Sequence, residues 1–97
     1  MLSHVVIFRT RRKENVDALY ECVKKLENID LVKSFHCGKP VPSARPVVDD
    51  FFDVAAVIGL EDEAALDAYA KHPIHQDFVE NCLKKLEVKV LVYDIKD

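Results

Sequence analysis

An α+β fold with the element order β-α-β-β-α-β is predicted by three features of this 97-residue chain. Four runs are rich in β-branched and aromatic residues, two stretches carry apolar residues at helical spacing, and a proline-rich loop parts the second strand from the third. Such an order builds the split βαβ, or ferredoxin-like, arrangement: a four-stranded antiparallel sheet with both helices on one face.

The first strand is Leu2 to Arg9, where His4 shares a face with Leu2, Val6 and Phe8 while Val5 and Ile7 take the other. Asn15 reads as the N-cap of a helix carrying Val16, Leu19, Val23 and Leu26 on one stripe. Leu31 to Cys37 is the second strand, ended by Gly38. Pro40, Pro42 and Pro46, three of the four prolines, mark the segment from Gly38 to Asp50 as a loop. Phe51 to Leu60 is the third strand.

Asp62 then reads as the N-cap of a second helix through Leu66 and Tyr69. His72-Pro73 interrupts that helix, because the residue before a proline is pushed out of the α region. Pro73 suits the first turn of a continuation whose apolar stripe is Ile74, Phe78, Val79, Cys82, Leu83 and Leu86. Val88 to Ile95 is the fourth strand. With no repeat, linker or low-complexity segment, residues 1–97 read as one domain.

Strands one, three and four are apolar on both alternating sets. Val5 and Ile7 lie opposite Val6 and Phe8; Val54, Ala56 and Ile58 opposite Ala55 and Val57; Leu91 and Tyr93 opposite Val90 and Val92. Two helices cover only one face of a sheet, so a monomer would expose a large apolar patch. A second sheet is expected to cover it, and a homodimer is its simplest source.

Charge and motifs exclude several functions. Fourteen basic residues against seventeen acidic ones give a net charge of -3, the wrong balance for a phosphate-backbone binder. An RNA-recognition domain needs basic and aromatic residues on its central strands, but the third strand opens Asp49-Asp50-Phe51-Phe52-Asp53. A heavy-metal carrier of this topology needs Cys-x-x-Cys after its first strand; the chain has Thr10-Arg11-Arg12-Lys13 there. The apolar run Val5 to Phe8 is too short for a secretory or membrane segment. Cys22, Cys37 and Cys82 are odd in number and lack metal-ligand spacing, so a reduced, cytoplasmic domain is expected, with no nucleic-acid or membrane partner. Cys22 and Cys82 lie near the apolar stripes of their helices and read as small hydrophobes. His36, beside Cys37, reads as a surface residue.

The unusual chemistry is concentrated in Tyr69-Ala70-Lys71-His72-Pro73-Ile74-His75-Gln76-Asp77-Phe78. Tyr69, His72 and His75 recur every third residue and fall along one side if Pro73 only bends the helix. Histidine there can serve as a general base near neutral pH, and a tyrosine hydroxyl can polarise a carbonyl. His4 can join them from the first strand, and Leu66 and Phe78 give the same side an apolar border. The bland alternative is that His72 caps the second helical segment and Tyr69 is a core residue with its hydroxyl in water.

The pattern Tyr-x-x-His-Pro-x-His-x-x-Phe, preceded by the opening strand His4-x-Val6-x-Phe8, resembles the stress-responsive A/B barrel domain family of the dimeric α+β barrels. The resemblance runs from His4 to Asp94. It implies a ferredoxin-like protomer whose sheet faces its twin across a two-fold axis. A plant polyketide cyclase of that family closes a linear polyketide into an aromatic ring. Its catalytic tyrosine and histidine match Tyr69 and His75, and its pocket histidines match His4 and His72. A further third-strand histidine of that cyclase falls at about Val54, where this chain departs.

Two functions follow as expectations. In one, the chain is a cofactor-independent pocket for a small hydrophobic carbonyl compound, with aldol-type ring closure as its chemistry. Tyr69 and His75 are catalytic, and His4, His72 and Phe78 bind substrate. In the other, it is a non-enzymatic, stress-associated module whose dimer is the functional object. A zinc site from His4, His72 and His75 lacks a supporting His-x-His or Cys-x-x-Cys pair, so no metal is expected.

Overall fold

The structure, a computed structural model, describes residues 1–97. Its strands are β1 (Leu2–Thr10), β2 (Ser34–Gly38), β3 (Val54–Leu60) and β4 (Val88–Lys96). Its helices are α1 (Val16–Lys24), α2 (Glu63–Lys71) and α3 (Pro73–Phe78). The strands form one antiparallel sheet in the order β2-β3-β1-β4, the ferredoxin-like arrangement. No helix is long and apolar enough to cross a membrane.

Strand register sorts the side chains into two faces. β1 pairs Phe8 with Val54 and Val90, Val6 with Ala56 and Val92, and His4 with Ile58 and Asp94. Leu2, Val6, Phe8, Val54, Ala56 and Ile58 are buried there beneath Leu19, Val23 and Leu26 of the first helical segment and Tyr69 and Phe78 of the second. Full burial of each large aliphatic or aromatic side chain is worth about 1.5–3 kcal/mol, so this face holds the fold together. The opposite face groups Val5 and Ile7 with Ala55, Val57, Leu91 and Tyr93, and it has no helix over it. Val57, Leu91, Tyr93 and Ile95 are exposed there.

The helix signals hold where a side chain can reach backbone. Asp62 accepts from the Ala65 amide at 2.9 Å and caps α2. His72 is extended (φ -63°, ψ 140°), as a residue before proline must be, and this ends α2 and starts α3. Asn15, by contrast, makes no capping hydrogen bond, because it lies inside a short 3-10 turn over Lys13–Asn15 that leads directly into α1. The apolar stripe after Pro73 is not one α-helix either. α3 ends at Phe78 and the chain widens into a π turn over Val79–Leu83, where the Lys84 amide donates to the Val79 carbonyl at 3.1 Å.

Two strands are shorter than their apolar runs. Leu31 and Val32 turn instead of pairing along the sheet edge, the Val32 amide donating back to the Ile29 carbonyl at 3.0 Å. Bonding to β3 begins only with the Lys33 amide, which donates to the Gly59 carbonyl at 2.8 Å. Phe51 to Asp53 leave the β3 ladder because Asp53 bonds sideways. Its amide donates to the Phe8 carbonyl at 2.9 Å, and its carboxylate accepts from the Thr10 amide and the Lys13 ammonium, each at 2.8 Å. Thr10 continues this latch, its hydroxyl donating to the Leu86 carbonyl at 2.8 Å. The acidic opening of the third strand therefore ties down the far end of β1.

Candidate functional site

The helix-covered face is not filled throughout. Between β1, β4 and the α2–α3 segment lies a cavity of about 240 Å³, walled by Val6, Phe8, Leu26, Leu66, Phe78, Leu83 and other apolar groups. Its polar-tipped lining residues are His4, Tyr69 and His75. Val90 and Val92 border it from β4 and remain partly exposed, so it opens near that edge strand.

Each polar group is placed by a different element. His4 faces the cavity because it sits on the inward set of β1. Tyr69 lies on the last turns of α2, with only 1% of its surface exposed. His75 follows on α3, past the break at His72-Pro73. The rings form a chain: His4 meets Tyr69 edge-on with centroids 5.7 Å apart, Tyr69 meets His75 edge-on at 4.9 Å, and His75 lies tilted against Phe78 at 6.1 Å. Edge-to-face packing of this kind adds about 0.5–1.5 kcal/mol per pair and fixes ring orientation.

The electrostatics distinguish donor from acceptor. Burial pushes the Tyr69 hydroxyl well above the usual tyrosine range, so it stays protonated at all ordinary pH. No hydrogen bond within the chain engages it, yet no sealed side-chain polar atom lacks a partner, so the hydroxyl opens on the cavity. Burial also lowers the pKa of His75, with the charge of His4 acting in the same direction and the Ala70 carbonyl opposing it. His75 is therefore a neutral imidazole at pH 7, able to accept a proton. His4 is held by Asp94, whose carboxylate lies 2.5 Å from its Nδ1.

The structure brings His4, Tyr69, His75 and Phe78 to one cavity and leaves His72 out of its lining. His72 Nδ1 accepts from the Ile74 amide at 3.1 Å and caps α3, and its Nε2 lies 3.7 Å from an Asp30 carboxylate oxygen. The three-residue spacing with Tyr69 and His75 fails as a face marker because the extended backbone at His72 turns its ring aside. No group of three His, Cys, Asp or Glu side chains is arranged to hold a metal ion.

Asp94 is the residue that sequence reasoning missed. Its signal was present: Val88, Val90 and Val92 form an apolar inward set on β4 that a carboxylate interrupts at the position paired with His4. The wall residues Leu26 and Leu83 come from two segments and were legible only as parts of amphipathic stripes.

Comparison with known proteins agrees with this architecture. A protein of Arabidopsis thaliana is 28% identical in sequence, with a TM-score of 0.77 over 100% of this chain and 95% of its own. A Dabb family protein with a ferredoxin-like fold from Mesorhizobium loti is 25% identical, with a TM-score of 0.76 over 99% of this chain and 95% of its own. A dimeric ferredoxin-like protein of unknown function from Thermobifida fusca is 20% identical, with a TM-score of 0.74 over 99% and 90% of the two chains. None of the curated proteins matches. The family model of the stress responsive A/B barrel domain matches residues 2–97, nearly the whole length. With the ferredoxin-like sheet and the Tyr69–Phe78 motif in place, this match shows that the chain belongs to the stress-responsive A/B barrel domain (Dabb) family.

Proposed function

We propose that the cavity binds a small hydrophobic carbonyl compound and performs cofactor-independent, aldol-type proton-transfer chemistry on it. The observation that carries this reading is the pairing of a protonated, unengaged Tyr69 hydroxyl with a neutral His75 imidazole inside an otherwise apolar chamber. Tyr69 donates a hydrogen bond to the substrate carbonyl oxygen. His75 removes a proton from the adjacent carbon, and the enolate so formed carries its charge towards the Tyr69 hydroxyl. Attack of that carbanion on a second carbonyl closes a ring, and the imidazolium returns its proton to the new alkoxide. His4, braced by Asp94, orients the polar end of the substrate, while Phe78 packs against its apolar part. Positioning and proton transfer each supply several kcal/mol of such a barrier. At about 240 Å³ the chamber lies below the ~300–1,000 Å³ of drug-sized sites, which points to a compact ligand.

The test is a two-dimensional NMR titration against alkyl-resorcylic and β-keto acids, followed by turnover assays on any binder. Saturable shifts at His4, Tyr69 and His75 that His75→Phe abolishes support the reading. Shifts and turnover that survive His75→Phe refute it.

We also infer that the chain pairs as a homodimer through the uncovered sheet face. Support comes from the exposed Val57, Leu91, Tyr93 and Ile95 and from the dimeric state of the Thermobifida fusca neighbour. In a second reading this dimer is itself the functional object and the motif serves helix geometry; the His72 cap on α3 favours it. The three free thiols fit a reducing, cytoplasmic setting.

A further inference from the structure

Beside the chamber lies a second, smaller hollow of about 120 Å³ between α1 and the π turn. Cys22 and Cys82 both line it, together with Lys25, Asp77 and Asn81. Cys22 is half-buried and Cys82 is buried, and the nearness of Cys22 adds to burial in raising the Cys82 thiol pKa. They come from segments 60 residues apart, brought together because both lie on inward stripes and because the π turn reaches Cys82 only one α-turn beyond Phe78. Leu26 and Phe78 belong to the walls of both hollows.

We propose that Cys22 and Cys82 form an oxidative modification site, closing a reversible disulfide that moves the wall shared with the chamber. A hydroperoxide is the oxidant, and the hollow has room for a molecule of that size. The Cys22 sulfur gives up its proton and attacks one peroxide oxygen. An S–O bond forms, the O–O bond breaks, and the departing oxygen leaves as water (or as an alcohol from an organic hydroperoxide), giving Cys22 sulfenic acid. The Cys82 sulfur then attacks the Cys22 sulfur. The S–S bond forms, the S–O bond breaks, and the hydroxyl leaves with the Cys82 proton as water. Two electrons pass from the two thiols to the peroxide, and a dithiol reductant reverses the change.

The surroundings suit this order of events. Cys22 is the more accessible sulfur and attacks first; the buried Cys82 resolves. Burial pushes the Cys82 thiol pKa up, with the nearby Lys25 charge only partly opposing it, so Cys82 follows as the resolving sulfur, while Asp77 is engaged by the Asn81 amide at 2.5 Å. Cys37 sits on the short edge strand β2 outside this hollow and serves as an internal control.

The experiment treats the full chain with hydrogen peroxide, then alkylates, digests and maps it by mass spectrometry without reductant. In parallel, the ring signals of Tyr69 and His75 are followed by NMR, with no ligand present. The expected result is a Cys22–Cys82 linked peptide that dithiothreitol splits, with Tyr69 and His75 signals that shift on oxidation and return on reduction. Cys22→Ser, the conservative change at the accessible position, loses both effects, whereas Cys37→Ser keeps both. Thiols that remain free, over-oxidation of Cys22 without a link, a link to Cys37 or to another chain, or a Cys22–Cys82 link that leaves the ring signals in place would each overturn the proposal. None of these readouts depends on a substrate, so its failure is separable from failure of the proposed chemistry.

Discussion

The rings of Tyr69 and His75 meet edge-on with centroids 4.9 Å apart, across the break that ends α2 and starts α3. Six residues apart on a continuous helix, the two would lie about 120° apart around the axis, at opposite edges of the side they share. The extended backbone at His72 resets the register between them, so that the donor on one helix and the acceptor on the next enter the same chamber. The proline that interrupts the helix thereby assembles the site.

Burial of His75 has a pH signature. Its folded-state pKa lies below the ordinary value of 6.5, so just below that value the unfolded chain binds more protons than the folded one. Stability from this group is therefore fully present above about pH 6.5 and declines as pH falls towards the folded pKa. Urea unfolding between pH 7.5 and 5 should show a loss of stability on acidification that is smaller in His75→Phe. The imidazole Hε1 resonance of His75 should titrate with a midpoint below 6.5. A midpoint above 6.5 contradicts the neutral-base assignment.

Removal of the Tyr69 hydroxyl separates chemistry from packing. The ring is buried, but its hydroxyl has no partner within the chain, so Tyr69→Phe sacrifices no internal hydrogen bond. Stability should change by less than about 1 kcal/mol, while carbonyl-ligand affinity or turnover falls at least tenfold. Tyr69→Ala, which empties the ring's volume, should instead cost about 3–5 kcal/mol, as for other large aromatic truncations. Thermal unfolding paired with the ligand titration distinguishes the two effects.

Asp53 and Lys13 form an ion pair at 2.8 Å, yet the two sides should not matter equally. The carboxylate is buried and also satisfies the Thr10 amide, whereas 70% of the Lys13 side chain is exposed. Asp53→Ala strands a buried backbone donor and should cost about 2–3 kcal/mol. Lys13→Ala removes only a solvent-screened charge and should cost less than about 1 kcal/mol. Equal losses in urea unfolding would place the energy in the ion pair instead of the amide bond.

The uncovered sheet face makes an assembly prediction. Leu91 lies near its middle on β4, exposed in the single chain. Leu91→Lys should leave the protomer folded by circular dichroism but shift sedimentation equilibrium from dimer to monomer, because a lysine ammonium cannot be desolvated between two sheets without a partner. A sedimentation profile unchanged by this substitution would remove the face from the interface.

Element order, the double-sided strands and the helix break at His72-Pro73 were legible because each rests on local periodicity or on proline stereochemistry. The early end of the β3 ladder was not. Phe51 to Asp53 have strand composition, and only the distant Thr10 amide and Lys13 ammonium, about forty residues away, draw Asp53 out of line. The same limit hid Asp94, whose partner His4 lies 90 residues earlier in the chain. It also hid the adjacency of Cys22 and Cys82, each of which reads separately as a small apolar residue. Side chains whose roles depend on long-range pairing carry little local signal.

His72 offers the clearest division between geometry and chemistry in the motif. Its Nδ1 accepts from the Ile74 amide, one of the unpaired donors that begin α3, and its ring is not part of the chamber lining. His72→Ala should therefore cost about 1 kcal/mol, the usual loss of an N-cap, whereas His72→Asn supplies another acceptor and should recover most of it. Both variants retain Pro73 and the extended backbone before it, so His75 should still reach the chamber. Ligand shifts at Tyr69 and His75 should persist in both variants, with any loss of affinity in His72→Ala restored in His72→Asn. Should His72→Asn match wild-type stability yet lose the ligand response, the imidazole itself contacts substrate and α3 capping is not its main role.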